Sequence, residues 1–175
     1  MLKIIVIAVI VLLAVILVIA ATRPDTFRVQ RTVRIKAPPA KIFALINDFH
    51  RWSAWSPYEK LDPAMKRDFS GPASGKGAGY AWESRGKAGA GSMEITESSE
   101  PNRIAIDLNF IKPFKNQCVA EFILTDKGDA TEVTWALRGR DIYIGKLMGL
   151  FFNRDKMVGS DFETGLANLK TATES

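Results

Sequence analysis

The sequence of 175 residues predicts an α+β fold in which a curved antiparallel sheet wraps around one long C-terminal helix, preceded by a single N-terminal transmembrane helix. Three observations predict this fold. Residues 4–21 are uninterruptedly apolar, residues 27–137 contain successive segments in which apolar and polar residues alternate, and residues 145–170 have helical periodicity. Alternation with a period of two indicates strands, and the sequence lacks the strand–helix–strand alternation that is typical of a parallel sheet.

The apolar run at residues 4–21 predicts a membrane-spanning helix. Its 18 residues form roughly 27 Å of helix, which is close to the hydrocarbon thickness of a bilayer. A cleaved signal peptide is the alternative, with residues 18–20 as a cleavage site, but the apolar region of a signal peptide usually has only about 7–15 residues. We expect an uncleaved anchor at residues 1–22, a linker at residues 23–26 and one folded domain at residues 27–172.

The positive charge of the chain is concentrated beside this run. The formal net charge is +5, and residues 1–36 account for all of it, because the basic and acidic residues from position 37 onward cancel. A neutral domain without a basic tract predicts no nucleic-acid binding, and the basic segment suits anionic lipid headgroups. Five basic residues follow the run and only Lys3 precedes it, so the positive-inside rule places the domain in the cytoplasm. These basic residues also overlap a predicted strand, so a location of the domain on the periplasmic or extracellular side remains an alternative.

The folded domain begins with a half-buried strand. Apolar and polar residues alternate from Phe27 to Ile35, except that Arg31 falls on the apolar face. Arg31 is either a rim arginine paired with an acid or a polar anchor at the mouth of a pocket. The prolines at residues 38–39 end the strand, and the apolar spacing at residues 42–46 predicts a short helix.

The middle of the chain predicts an antiparallel meander of five or six strands. Residues 71–91 contain seven glycines and are predicted to be loops around a strand at residues 80–83. Alternating side chains predict four more strands, centred on residues 93–96, 104–110, 118–124 and 131–137. Residues 126–129 have the Asp and Gly composition of a hairpin turn.

The C-terminal part predicts one long amphipathic helix from residue 145 to residue 170. Its apolar residues recur with i, i+3 and i+4 spacing at Leu147, Leu150, Phe151, Met157, Val158, Phe162, Leu166 and Leu169. Three glycines interrupt it, at positions 149, 159 and 165. Each costs roughly 1 kcal/mol of helix stability relative to Ala, and each would also permit bending or a close approach to the sheet.

Large aromatic residues are candidates for the wall of a ligand cavity between the sheet and this helix. They are Trp55, Trp82, Phe110, Phe122, Trp135 and Phe162. Each is either an ordinary core residue or a ligand-binding residue, because ligand pockets are mostly apolar with a few placed polar groups. Arg31 and Asp161 are the candidate polar members of the site.

No residue is predicted to be catalytic. The single His, His50, has only Asp48 as a local partner, and the single Cys, Cys118, lies on an inward strand face without a nearby His or cation. One Cys and one His also exclude a disulfide framework and a multi-histidine metal site. The glycine-rich segment at residues 75–79 lacks the ending and the following helix of a phosphate loop. We expect no metal and no cofactor.

The order of the predicted elements is accompanied by four distinctive segments. They are Arg34-Ile35-Lys36-Ala37-Pro38, Ala44-Leu45-Ile46-Asn47-Asp48-Phe49, Trp52-Ser53-Ala54-Trp55-Ser56-Pro57 and Gly159-Ser160-Asp161-Phe162-Glu163-Thr164-Gly165-Leu166. Together they resemble the SRPBCC superfamily, and more narrowly its branch described as polyketide cyclase/dehydrase and lipid transport, over roughly residues 27–170. The resemblance implies a START-like helix-grip fold with a deep hydrophobic cavity, in a superfamily that binds lipids, sterols, polyketides, plant metabolites or proteins and sometimes catalyses cyclisation or hydration. It supplies no universal catalytic motif.

These observations lead to three functional hypotheses. The first is a membrane-anchored module that binds a hydrophobic or lipid-like small molecule between the sheet and the C-terminal helix. The second is an enzyme of cyclase or hydrolase type on a hydrophobic substrate, which requires a polar or titratable pair inside the cavity. The third is a protein-interaction module with a filled core, or with an exposed apolar patch at Trp52, Trp55 and Tyr58.

Overall fold

The computed structural model describes residues 1–175 and contains one seven-stranded antiparallel sheet with four α-helices. The strands are β1 (Thr26–Ile35), β2 (Lys66–Ser70), β3 (Gly79–Glu83), β4 (Ala90–Ser99), β5 (Arg103–Lys112), β6 (Asn116–Asp126) and β7 (Thr131–Arg140). The helices are α1 (Leu2–Ala21), α2 (Pro39–Ile46), α3 (Tyr143–Met148) and α4 (Arg154–Glu174), with short 3₁₀ helices at Phe49–Ala54 and Pro57–Lys60. The predicted α+β helix-grip fold is therefore confirmed.

The strand order β1-β7-β6-β5-β4-β3-β2 places β1 and β2 at opposite edges of the curved sheet. The chain leaves β1, passes through α2 and the 3₁₀ helices to the far edge, and returns as a meander. The last strand, β7, pairs with β1 along its whole length, from Thr26 opposite Arg140 to Ile35 opposite Thr131. This topology brings the C-terminal helix back across the concave face of the sheet.

The edge strand β2 is the one strand that the alternation of side chains does not predict. Its sequence, Lys66-Arg67-Asp68-Phe69-Ser70, contains three charged residues, and only Arg67 is partly buried. It pairs with β3 alone. A strand at a sheet edge gains less from burial than a central strand and tolerates charged residues, so its sequence pattern is weak.

The predicted continuous C-terminal helix is wrong at one point, because residues 149–153 separate α3 from α4. The Asn153 side chain caps α4 by accepting the backbone N–H of Lys156 at 2.9 Å, which is a favourable start for a helix. The break also turns part of the predicted apolar stripe outward. Phe151 is 67% exposed and Met157 is 61% exposed, whereas the stripe from Phe162 to Leu169 is buried as predicted.

Aromatic rings join α4 to the sheet. Phe162 on α4 stacks on Trp135 of β7 with ring centroids 4.0 Å apart and an interplanar angle of 11°. Trp135 also stacks on Phe122 of β6 at 5.1 Å. Aromatic pairs of this kind contribute about 0.5–1.5 kcal/mol beyond the burial of their area, so this cluster is a main attachment of the helix.

Two glycines of α4 allow large side chains of the sheet to reach the helix backbone. A Cβ atom at Gly165 would lie 2.7 Å from the Trp135 ring, and a Cβ atom at Gly159 would lie 2.0 Å from the Arg31 guanidinium. Both distances are far below van der Waals contact. Close approach to the sheet therefore explains these two glycines.

In the structure Arg31 is paired with two acids of α4. Its guanidinium forms ion pairs with Asp155 at 3.0 Å and Glu163 at 2.7 Å, both on α4. The guanidinium of Arg31 in turn holds the pKa of Asp155 below its usual range. Arg31 thus fastens the first turns of α4 to β1.

Helix α1 projects from the domain and is long and apolar enough to cross a membrane. Its mean hydropathy is 3.7, and Ala20 is its one buried residue. One contact joins α3 to the C-terminal part of α1, and a second joins α3 to the segment between α1 and β1. The Tyr143 hydroxyl donates to the Leu17 carbonyl at 3.0 Å, and the Lys146 ammonium pairs with the Asp25 carboxylate.

We predict that Gly165→Ala destabilises the protein although Ala favours helices. The added methyl group must displace the Trp135 ring, and overpacking of this kind costs about 1–3 kcal/mol. That cost exceeds the gain in helix propensity of about 1 kcal/mol. Urea denaturation measures the free energy of unfolding, with Ala167→Ser on the exposed side of α4 as the control. An unfolding free energy equal to or above that of the parent would contradict close packing at this position.

Candidate ligand-binding cavity

A cavity of about 360 Å³ lies between the concave face of the sheet, α4 and the 3₁₀ helices. We call it the inner cavity. Of the 19 side chains that line it, 15 are hydrophobic, and the four others are Ser56, Glu59, Lys87 and Asp161. Both its size and its composition are typical of sites for small apolar or amphipathic molecules.

Five of the eight side chains that the sequence suggested for ligand binding line the inner cavity. They are Trp82, Phe110, Trp135, Asp161 and Phe162. Trp82 lies flat across the neighbouring strand because Gly91 is opposite it, where a Cβ atom would come within 2.6 Å of the indole. Its Nε1 donates to the Ala88 carbonyl at 3.0 Å, which fixes the ring in the cavity wall.

The other three suggested residues lie outside the inner cavity. Arg31 is engaged by the acids of α4. Trp55 and Phe122 are fully buried and pack edge to face at 5.9 Å, while Trp52 covers both rings. Sequence alternation correctly places Phe122 on the inward face, but it does not reveal that other aromatic rings cover it.

The exposed patch that a protein-interaction module would form at Trp52, Trp55 and Tyr58 is absent. Trp52 and Trp55 are buried, and Tyr58 is only partly exposed. The Trp52 indole donates to the Ile46 carbonyl at 2.9 Å. Trp52 and Tyr58 line the inner cavity instead, so this segment forms interior rather than surface.

Two tyrosine–carboxylate pairs are the polar features of the cavity wall. Tyr80 donates to Glu59 at 2.7 Å, and Arg67 holds the same carboxylate at 2.8 Å. Tyr58 adjoins Asp161 of α4. Burial, followed by the neighbouring carboxylate, raises the pKa of both phenols above their ordinary value. Both tyrosines are therefore neutral hydrogen-bond donors at physiological pH.

Two further polar atoms of cavity-lining residues are buried without a hydrogen-bond partner in the protein. They are the Ser56 hydroxyl and the Trp135 indole N–H. A buried polar group without a partner costs about 1–3 kcal/mol. Both residues are buried, with Ser56 fully covered and Trp135 only 3% exposed, so these atoms lie beneath the cavity surface.

Sequence reasoning missed most of the polar lining. Ser56, Tyr58 and Glu59 are in or beside the second 3₁₀ helix, a segment too short to show which side faces inward. Tyr80 belongs to a strand that the sequence predicts, but its partner Glu59 is 21 positions away. Of the polar side chains that line the cavity, only Asp161 could be proposed from the sequence, because it precedes Phe162 in the predicted C-terminal helix.

The two residues that the sequence excluded from catalysis have ordinary surroundings. His50 is half exposed and contacts Asp48 at 3.0 Å, and its ring stacks on Phe69. Burial raises the pKa of the Cys118 thiol to about 11, which makes it a poor nucleophile at neutral pH. The structure contains no cluster of three or more His, Cys, Asp or Glu side chains that could hold a metal ion.

A second, open groove of about 1240 Å³ adjoins the inner cavity. It lies at the end of the sheet where β1 and β6 begin and where β5 and β7 end. Leu108 and Phe110 line both spaces, so the groove and the inner cavity meet at these side chains. Ile142, directly before α3, forms part of the groove wall.

Comparisons with known proteins agree with this architecture. Residues 26–174 match the family described as polyketide cyclase / dehydrase and lipid transport. No curated protein is significantly similar in sequence.

Solved structures with the same fold come from distant sequences. A Chromobacterium violaceum protein has 13% identity and a TM-score of 0.60, covering 87% of this chain and 99% of its own. The ginseng (Panax ginseng) major latex-like protein 151 has 13% identity and a TM-score of 0.58, covering 86% and 99%. A protein of the dynemicin biosynthetic locus has 16% identity and a TM-score of 0.58, covering 87% of this chain and 48% of its own. These likenesses show the fold.

We predict that Asp161→Asn lowers the pKa of Tyr58, because the substitution removes the negative charge beside the phenolate. The absorbance of tyrosinate during a pH titration measures this change, and Asp129→Asn in the exposed turn between β6 and β7 is the control that leaves it unaltered. The raised pKa of folded Tyr58 also means that stability falls as the pH rises above the ordinary tyrosine value of 10.0. Asp161→Asn should reduce that loss. An unchanged titration would show that Asp161 does not act on Tyr58.

Proposed function

Because the chain belongs to the polyketide cyclase/dehydrase and lipid transport family, we propose that it is a membrane-anchored module that binds a hydrophobic or lipid-like small molecule in the inner cavity. The observation that carries this proposal is the predominantly apolar cavity of about 360 Å³ between the sheet and α4. Ligand pockets commonly enclose about 300–1,000 Å³ and combine apolar walls with a few polar groups.

The cavity wall suggests how such a ligand lies. Its apolar part contacts the rings of Trp82, Phe110, Trp135 and Phe162. A polar group on the ligand points toward the pair formed by Tyr58 and Asp161. An amphipathic molecule suits this wall better than a pure hydrocarbon, because burying a polar side chain without a hydrogen-bond partner is costly.

In this proposal residues 1–22 anchor the protein, residues 23–26 link the anchor to the domain, and residues 27–172 bind the ligand. In the structure, residues 22–25 connect α1 to β1, and four residues span at most about 14 Å, so the domain stays beside the bilayer from which a lipid-like ligand would come. The excess of basic residues after the apolar run favours a cytoplasmic domain on a single-pass anchor.

We predict that narrowing the inner cavity abolishes ligand binding. Val158 on α4 lines the cavity and is partly exposed, so Val158→Trp adds bulk where the fold can accommodate it, and Val158→Ala is the matched control. Residues 23–175 are purified without detergent, and organic extracts are compared by mass spectrometry. We expect a stoichiometric hydrophobic compound with the parent and with Val158→Ala but not with Val158→Trp.

Two results would contradict ligand binding in the inner cavity. If the parent yields no compound and takes up none from a lipid mixture in native mass spectrometry, ligand binding is refuted. If Val158→Trp retains the compound while circular dichroism shows a native fold, the ligand lies elsewhere.

We predict that the full chain behaves as an integral membrane protein with an intact N-terminus. It should remain in the membrane after an alkaline carbonate wash, whereas a chain lacking residues 1–22 should be released. Intact mass distinguishes an anchor from a signal peptide, because cleavage after residue 20 removes that segment. Protease digestion of the domain in inverted vesicles but not in intact cells would support the cytoplasmic side, and the opposite pattern would refute it.

An enzyme of cyclase or hydrolase type is the second candidate, and the two tyrosine–carboxylate pairs favour it. A neutral phenol beside a carboxylate can donate a proton or orient a substrate oxygen, which contributes typically 10²–10⁴-fold to a rate. Conversion of the bound compound into a product of different structure, slowed by Tyr58→Phe, would favour catalysis. Recovery of an unaltered compound after prolonged incubation favours simple binding.

A further inference from the structure

The end of the domain next to α1 carries several large apolar side chains that are exposed. Phe151 and Phe152 follow α3 and are 67% and 57% exposed, and Phe114, in the turn between β5 and β6, is 53% exposed. Ile111 and Met148 are exposed as well. We call these five residues the apolar rim. Soluble domains rarely expose such a group together without a partner.

The contacts of α3 show at which level along α1 this end of the domain lies. The Tyr143 hydroxyl donates to the carbonyl of Leu17, which lies four residues before the end of α1 at Ala21. At about 1.5 Å per residue this is roughly 6 Å inside the helix end. If α1 spans the bilayer, α3 therefore lies at the boundary between headgroups and acyl chains. Tyrosine is enriched at that boundary.

The charges near the apolar rim suit an anionic lipid surface. The groove beside the rim is lined by four basic residues, Arg28, Lys115, Arg138 and Arg140, and by one acidic residue, Asp107. Arg28 and Arg138 pair with Glu121, so Lys115 and Arg140 supply most of the positive charge that a headgroup would meet. Basic residues held near a membrane surface contribute about 1 kcal/mol each through anionic headgroups. This pattern of apolar side chains with a basic surround fits a bilayer better than it fits a second copy of the same positively charged end.

We propose that the apolar rim docks into the bilayer beside α1, so that the basic groove lies among the lipid headgroups. The proposal rests on the membrane anchoring proposed above. Docking would orient the domain relative to the membrane. Since Leu108 and Phe110 line both the groove and the inner cavity, docking would place the inner cavity next to the membrane surface.

Depth-dependent quenching in vesicles tests the proposal on the full chain. Cys118→Ala removes the native thiol, and single cysteines for an environment-sensitive fluorophore are introduced by Phe114→Cys, Phe152→Cys, Val11→Cys or Asp129→Cys. Val11 is in the middle of α1. Asp129 is in the β6–β7 turn at the opposite end of the sheet, and it is the matched control. The vesicles contain phosphatidylcholine and phosphatidylglycerol with or without brominated acyl chains.

We expect brominated lipid to quench the labels at positions 114 and 152, as it quenches the label at position 11, and to leave position 129 unaffected. Quenching at position 11 alone would overturn docking while leaving the anchor intact. Absence of quenching at position 11 would overturn the anchor and docking together. Labels at 114 and 152 that are shielded from water without lipid quenching would indicate a second copy or another protein on the apolar rim, and would also overturn the proposal.

Discussion

The close packing of α4 against the sheet is the constraint on which the rest of this structure depends. Trp135 stacks on Phe162 and presses on the helix backbone at Gly165, while Arg31 reaches under Gly159 to the acids of the same helix. These contacts fix the distance of α4 from the concave face of the sheet and the rotation of the helix about its own axis. The inner cavity is the space that remains where Ala120 of the sheet and Val158 of the helix present short side chains.

The wall of that cavity combines rigidity with unused hydrogen-bonding capacity. Backbone carbonyls hold the indoles of Trp52 and Trp82, and Arg67 and Tyr80 hold Glu59, so these groups are positioned before any ligand arrives. Preorganisation of this kind reduces the entropy lost on binding. The N–H of Trp135 and the hydroxyl of Ser56 have no protein partner, although both residues are buried.

Local periodicity predicted most of the fold but only part of the site. The first strand, the short helix after it, the meander and the helical stripe from Phe162 onward are all legible because each is half buried over several residues. Periodicity did not predict the edge strand β2, because this strand buries almost no side chain. It also did not predict the break at residues 149–153, because that break depends on the helix cap at Asn153. Other aromatic rings cover Phe122, and Glu59 accepts a hydrogen bond from Tyr80. Both are tertiary contacts, which the alternation of apolar and polar residues along a strand does not predict.

The positions of the four tryptophans concentrate the intrinsic fluorescence of the protein around the inner cavity. Three of the four tryptophans, Trp52, Trp82 and Trp135, line the inner cavity, and the fourth, Trp55, has its ring centroid 5.4 Å from that of Trp135. Indole emission depends on the polarity of its surroundings, and rings this close exchange excitation energy. Nearly all of the tryptophan fluorescence of the protein therefore originates at or beside the cavity, so the entry or exit of the proposed ligand would be visible in time without any added dye.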